Sequence, residues 1–401
     1  MAEVAKPEVA TTKVAKGSKE REDGDVWSSR PAFYFAAVGA AVGFGNVWRF
    51  PALSVEYGGG AFFIPYFMAF FFIGIPILTL EIGFGQYWQT GDVGVFGSFN
   101  PRLRGVGVAS VACGWMLVVY YSVLLAWVIN AFFDAFTDSA PWADEDVNGK
   151  IAIDYFLEEI IGTKTLGADG TATRIVWANV GYSALGWVAI WGCLAFGTKV
   201  TGRIAYFTMG IPILVLLIFL IKSLTLEGAS DGINIYIGVW DLSVLKDRPD
   251  VWSRATTQIF FSIGITFGIM TAFGAHCKRD EPAFLNSCVI AGANSFFSII
   301  SGFAVFAALG HLAYLEGVPV EKLEYGGFSL VFGTWPVVLG TLPGGIHWVR
   351  LLFFDLFLLG LDSAFAFMEG ILTVSSDTER FKDTPKWKIT GSFAWFHSCC
   401  P

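Results

Sequence analysis

Apolar residues fill this chain in long blocks, and polar or charged residues are confined to the joints between them. The blocks predict membrane-spanning helices at roughly 31–56, 60–89, 105–136, 174–196, 202–224, 254–275, 284–313 and 349–375, each near the ~20 residues needed to cross a hydrocarbon core of about 30 Å. The second follows a glycine turn, GGGAF at 58–62, and polar segments separate others at 137–172 and 225–252. A segment with Pro319, Pro336, Pro343 and Gly344 reads as a loop before the eighth. After it, Trp387 onward (WKITGSFAWFHSCCP) is too short and polar for a full ninth span.

Two of the blocks are built to break. Phe35 to Pro51 reads FAAVGAAVGFGNVWRFP, with Gly39, Gly43 and Gly45 before Asn46 and Arg49, and the sixth block carries QIFFSIGITFG from Gln258. Lipid supplies no hydrogen-bond partners, so loosened backbone at membrane depth persists only where protein buries it or where it lines a polar cavity. Breaks five spans apart are the spacing of two inverted five-helix repeats meeting at a binding site. The reading is an all-α polytopic membrane protein: a disordered tail over 1–25, a first repeat over 26–224 with an outer loop at 137–172, spans six to eight of an incomplete second repeat over 225–376, and a segment 377–401 holding the remnant of a ninth span.

Composition agrees and narrows the classes. The chain is 54% hydrophobic, 16% aromatic and 15% charged, against about 25% charged in soluble domains. A net charge of −8 without a concentrated basic face excludes a nucleic-acid partner. Lys13, Lys16, Lys19 and Arg21 precede the first span, and basic residues recur in alternate joints at Arg102, Arg104, Lys199, Arg203, Lys278, Arg279, Arg380 and Lys382. By the positive-inside rule that face, with the amino terminus, is cytosolic. Cys113, Cys193, Cys277 and Cys288 lie in or beside spans and Cys399 and Cys400 close the chain, so no disulfide is expected in the large outer loop. The four histidines (His276, His311, His347, His397) are scattered, and no nucleophile–base constellation is visible, which argues against an enzyme.

Seven stretches in order resemble the neurotransmitter:sodium symporter family: Trp27-SSR, Gly39-AAVGFGNVWRFP, Gly58-GGAFFIPY, Tyr120-Tyr121, Gln258-IFFS, Asn294-SFFSIISGF and Gly360-LDS. The resemblance covers about 26–380 and implies the leucine-transporter fold. It implies a first sodium site at Ala41, Asn46, Ser262 and Asn294, completed by the substrate carboxylate, and a second at Gly39, Val42, Leu359, Asp362 and Ser363. Chloride-dependent relatives would hold the anion at Tyr66, Gln258, Ser262, Asn294 and Ser298. The neutral Ser298 stands where chloride-independent bacterial relatives typically place a carboxylate.

For the substrate, the resemblance implies Ala41, Gly43, the amides of Phe44 and Gly45, and Tyr121, with Leu117, Phe261, Gly264, Phe267 and Phe367 shaping the pocket. Freed amides at a half-helix end suit a carboxylate. Gly43, where monoamine carriers place an aspartate, points to a substrate bringing its own carboxylate, and Gly264 with Leu117 is similar to the γ-aminobutyrate branch. Arg49 and Phe261 resemble an outer gate whose acidic partner belongs to a tenth span, and Asp377 matches the inner-gate acid. The usual arginine of that inner gate, three residues before Trp27, is Gly24 here, with Arg21 as substitute, and His276 replaces a typical tyrosine. The function implied is sodium-coupled, chloride-dependent symport of a small amino acid or related carboxylate-bearing amine by alternating access at the plasma membrane. The competing expectation is a truncated, non-transporting fragment that associates with a full-length relative.

Overall fold

A computed structural model of the chain describes residues 26–399 except 138–140, 144–148, 167–170, 172, 324–326, 328, 379, 382 and 383. The tail expected over 1–25, with Arg21 and Gly24, lies outside the described residues. Within them the structure is helical, with one isolated bridge between Gly59 and Trp240.

The first block is two helices, α1 (Arg30–Ala41) and α2 (Phe50–Glu56), joined by a non-helical step and the wide turn Gly45–Arg49. Then come α3 (Gly60–Trp88), α4 (Asp92–Phe99), α5 (Pro101–Asp134), α6 (Trp177–Leu194) and α7 (Thr198–Leu224). The sixth block is likewise split into α8 (Asp250–Ile263) and α9 (Ile269–Ala275). It is followed by α10 (Ala283–Glu316), α11 (Gly345–Ser376) and α12 (Lys386–Cys399). Helices α3, α5, α7, α10 and α11 are each long and apolar enough to cross a membrane.

Local chemistry explains both breaks. Ser29 caps α1, its hydroxyl accepting from the Ala32 amide at 3.2 Å, and Pro31 sits in the first turn. Helix α1 stops when Val42 turns extended (φ −85°, ψ 114°). The Gly43 amide then donates to the Asn46 side chain at 2.9 Å rather than to the Gly39 carbonyl four residues back. Between α8 and α9, Gly264, Thr266 and Gly268 all have positive φ (66°, 72° and 76°). Thr266 is strained there, and its amide is held by Glu81 Oε1 of α3 at 2.6 Å.

Packing puts these breaks at the centre. Helix α1 lies against α7, α10 and α11, while α8 and α9 lie against α3. Helix α11 packs along α5.

Three elements depart from the sequence expectation. Helix α4 folds flat on α5 because Gly107 leaves no side chain there: a Cβ would stand 2.6 Å from the Asp92 carbonyl. Within the proline-bearing segment, Ser329–Gly340 is a buried apolar helix, wide-turned over Ser329–Thr334, and Pro336 lies where the α-helical part Trp335–Gly340 begins. The stretch 386–399 forms α12, which packs on α6, with Trp191 Nε1 donating to the Trp387 carbonyl at 3.1 Å.

Candidate functional site

The two breaks face a cavity of about 380 Å³. Of the expected substrate residues, Ala41, Gly43, Phe44, Gly45, Leu117, Tyr121, Phe261, Gly264 and Phe367 all line it. Phe267 does not line it. Its ring lies 5.8 Å from that of Phe261 and 5.9 Å from that of Phe367, and the chain reaches it through the positive-φ residues Gly264 and Thr266. Sequence reasoning missed Ala40, Trp48, Tyr120 and Leu124 as lining residues. Trp48 enters through an aromatic stack, with the Phe44 ring 5.0 Å from both Trp48 and Tyr121 at near-parallel angles.

Two glycines of the first break differ in what surrounds them. A Cβ on Gly43 would meet Ser363 Oγ at 2.6 Å and the Tyr121 hydroxyl at 2.9 Å, whereas one on Gly45 would meet nothing within 4 Å. Gly43 thus brings backbone, Ser363 and Tyr121 together, and Gly45 leaves open space. The Tyr121 hydroxyl is buried, adjoins Ser363 and Phe44, and makes no hydrogen bond of good geometry among the described residues.

Beside the cavity, side chains from three helices converge. Asn46 Nδ2 donates to Asn294 Oδ1 at 2.7 Å, to Ser298 Oγ at 2.8 Å and to Ser262 Oγ at 3.2 Å. Asn294 Oδ1 in turn lies 3.0 Å from the Ala41 carbonyl oxygen and 3.3 Å from that of Ser262. Whichever way the amide is turned, it stands among the Ala41 and Ser262 carbonyl oxygens and the Ser262 hydroxyl, an oxygen-rich corner. The four residues expected for the first sodium site therefore fit a small hard cation, which takes oxygen ligands.

The second set is also assembled. Asp362 is fully buried on α11, and among the described residues neither carboxylate oxygen has a hydrogen-bond partner, the Thr208 hydroxyl donating instead to the Ile204 carbonyl at 3.2 Å. Its Oδ2 would lie 2.6 Å from a Cβ on Gly39. Ser363 Oγ donates to the Val42 carbonyl at 3.4 Å, and Leu359 is buried on the same helix. An unpaired buried carboxylate beside carbonyls released at a helix end fits a monovalent cation as counter-charge.

The anion set is assembled in part. Gln258, Ser262, Asn294 and Ser298 are buried, with Asn294 Nδ2 donating to Ser262 Oγ at 2.8 Å and Gln258 Oε1 lacking a partner among the described residues. The Tyr66 hydroxyl pairs with Ser295 at 2.9 Å, a residue the sequence reading did not single out.

At one end of the cavity the Arg49 guanidinium lies 5.0 Å from the centre of the Phe261 ring, so the two expected gate residues meet as a cation–π pair. Asp377 accepts from Thr90 Oγ1 at 2.6 Å and from the Gly91 amide at 3.0 Å, tying the end of α11 to the joint after α3.

A family model described as the sodium:neurotransmitter symporter family matches residues 24–396. The chain belongs to that family. This symporter-family chain is 34% identical over 386 residues to the sodium- and chloride-dependent GABA transporter 2 of Bos taurus, covering 90% of this chain and 64% of the relative. It is 32% identical over 410 residues to the sodium- and chloride-dependent neutral and basic amino acid transporter B(0+) of Mus musculus, covering 91% and 64%. The symporter-family chain thus spans just under two thirds of the length of these relatives. Its fold superposes on the crystal structure of MhsT in complex with L-phenylalanine with a TM-score of 0.78 at 26% identity, over 94% of this chain and 79% of that one. The leucine-transporter architecture expected from the motifs is therefore the architecture observed, and the family is one of transporters, not enzymes.

Proposed function

We propose that the chain carries the ion- and substrate-binding centre of a symporter that couples sodium and chloride to uptake of an amino acid or a related carboxylate-bearing amine. The observation that carries this reading is the convergence of the Asn46, Ser262 and Asn294 side chains with the Ala41 carbonyl at the edge of the cavity between the breaks. Ala41, Asn46, Ser262 and Asn294 hold the first sodium. Gly39, Val42, Leu359, Asp362 and Ser363 hold the second. Gln258, Ser262, Asn294 and Ser298, joined by Tyr66, hold chloride.

The substrate carboxylate enters beside Gly43, where the clearance to Ser363 and Tyr121 excludes a side chain, and accepts from the Tyr121 hydroxyl and the freed amides of Phe44 and Gly45. Arg49 and Phe261 close one end of the path and the Asp377 contacts the other. The amino terminus lies in the cytosol and the membrane is the plasma membrane. Two sodium ions with one chloride would supply about 2.8 kcal/mol from a tenfold sodium gradient and about 2.3 kcal/mol from 100 mV on the net charge. That drives a thousandfold accumulation.

Labelled neutral amino acids and γ-aminobutyrate offered to proteoliposomes, with sodium and chloride varied independently, test the reading. The same mixtures are offered to a version of the chain extended to the length of its relatives. Substrate binding or uptake that rises with sodium in either form supports it. Binding indifferent to sodium in both refutes it.

A further inference from the structure

The second break, between α8 and α9, is held in part by a residue that belongs to neither broken block. Asp92, the first residue of α4, is 6% exposed, and its carboxylate serves two other elements at once. The Ser110 hydroxyl of α5 donates to its Oδ2, and the Thr271 hydroxyl of α9 hydrogen-bonds the same side chain. Gly268, just before α9, has φ 76°, and a Cβ there would stand 3.3 Å from Asp92 Oδ2. Ser110 Oγ also lies 3.0 Å from the carbonyl oxygen of Thr266, the strained residue in the middle of the break. The Thr266 amide is held from the other side, by Glu81 Oε1. Glu81 Oε2 is buried with no partner among the described residues, and the Glu81 and Asp92 carboxylates are near enough to repel.

A serine hydroxyl has one proton, and Ser110 stands between two acceptors. We infer that Asp92 is a positioning residue for the second break: by drawing the Ser110 proton to its carboxylate, it leaves the Thr266 carbonyl unclamped and keeps the adjoining wall of the cavity able to move. A hydrogen bond to an ionised acceptor is roughly twice as strong as one to a neutral carbonyl, so the carboxylate wins the proton. Thr266 is then fixed through its amide alone. Strained backbone persists where its surroundings over-determine it, and here one of the two available clamps is diverted. Gly264, two residues before Thr266, lines the cavity, so the hold on Thr266 is a hold on that wall. An amide in place of the carboxylate removes the charged pull and returns the Ser110 proton to Thr266, while still offering an acceptor to Thr271. The inference goes beyond the symport reading and takes no premise from it.

Amide hydrogen exchange reads this hold directly. In the full chain reconstituted in lipid, a peptide spanning 264–271 is followed by mass spectrometry, and a peptide from α10 in the same sample measures opening of the fold as a whole. Asp92→Asn should slow exchange of the 264–271 peptide by about threefold to tenfold, the difference between a charged and a neutral acceptor, and leave α10 unchanged. The slowing should vanish when Ser110→Ala is added, because no proton remains to be redirected. It should survive in the Ser110→Thr background, which keeps the hydroxyl. If Asp92→Asn folds poorly, faster exchange of α10 will reveal it, and Asp92→Ser then removes the same charged acceptor with the same expectation.

Unchanged or faster exchange of the 264–271 peptide in a well-folded Asp92 variant overturns the inference. A slowing that persists with Ser110→Ala overturns it too, since the effect would then come from relieved repulsion on Glu81 and not from the Ser110 proton. Neither result depends on sodium, chloride or substrate, which keeps failure here distinct from failure of the symport reading.

Discussion

Gly39 and Asp362 face each other across α1 and α11 so closely that a Cβ on the glycine would stand 2.6 Å from a carboxylate oxygen. The carboxylate is fully buried and hydrogen-bonds to nothing among the described residues. Gly39→Ala should therefore push Asp362 aside and raise the half-saturating sodium concentration about tenfold or more, equivalent to about 1.4 kcal/mol. Asp362→Asn should weaken sodium activation by removing charge without adding bulk. Sodium titrations of substrate binding in membranes holding equal amounts of inserted protein measure both, and unchanged sodium dependence in Asp362→Asn would remove that residue from the site.

Ser298 accepts from Asn46 Nδ2 at 2.8 Å and donates to the Asn294 carbonyl at 3.1 Å, so a side chain here adjoins both the sodium and the anion sets. Ser298→Glu should make binding and uptake independent of chloride, since a fixed carboxylate replaces the mobile anion. The measurement is activity in chloride against gluconate, and a persistent chloride requirement would defeat the anion assignment.

Neighbouring glycines should respond differently. Gly43→Ala drives a methyl against Ser363 and Tyr121, whereas Gly45→Ala places one in open space. Overpacking of this kind costs about 1–3 kcal/mol, so substrate affinity should fall about tenfold to a hundredfold in Gly43→Ala. In Gly45→Ala the loss should be small for the smallest substrates and grow with substrate size. Competition binding with a graded series of amino acids separates the two, and equal losses at both positions would contradict the clearance argument.

On the face opposite Trp27, the Tyr57 hydroxyl donates to Asp250 and holds its carboxyl below the usual carboxylate range, with Arg248 3.6 Å from the same oxygen. A carboxyl depressed in the folded state contributes stability that is present above its unfolded value, about 3.9, and is lost as pH falls through the folded value. Tyr57→Phe should therefore lower thermal stability at about pH 7 to 9 and shrink its further loss between about pH 5 and about pH 3, so that the two proteins converge in acid. Unfolding midpoints of the two proteins in detergent across that range check the sign. A steeper acid loss in Tyr57→Phe would be the wrong direction.

Much of this protein is written in local patterns. Blocks of apolar residues place the helices to within a few positions, and the glycines before Asn46 place the first break, because both depend on chain length and backbone freedom alone. The candidate residues were named through ordered motifs, and the structure brings most of those expected for the substrate to one cavity. Phe267 and Tyr66 depart from expectation: the direction of a ring after the positive-φ residues Gly264 and Thr266 is not encoded by its position in the motif, and the Tyr66 hydroxyl pairs with Ser295.

What local pattern does not hold is partnership. Nothing near Ser295 announces the Tyr66 hydroxyl, and nothing near Glu81 announces the strained Thr266 amide 185 residues away. A proline-marked loop became the buried helix Ser329–Gly340, and α4 exists because Gly107 admits it. Glu369, His276 and Lys386 meet from three separate stretches, and of the three only His276 drew notice in the sequence.

The sequence by itself determined that the chain enters a membrane, where its helices lie and where they break. Hydrophobic length and unsatisfied backbone impose those outcomes on any such chain. Tertiary structure alone decided which freed carbonyl faces which side chain and which buried charges share a partner. Those energies depend on distances of a few ångströms between segments hundreds of residues apart, and no spacing within one segment can fix them.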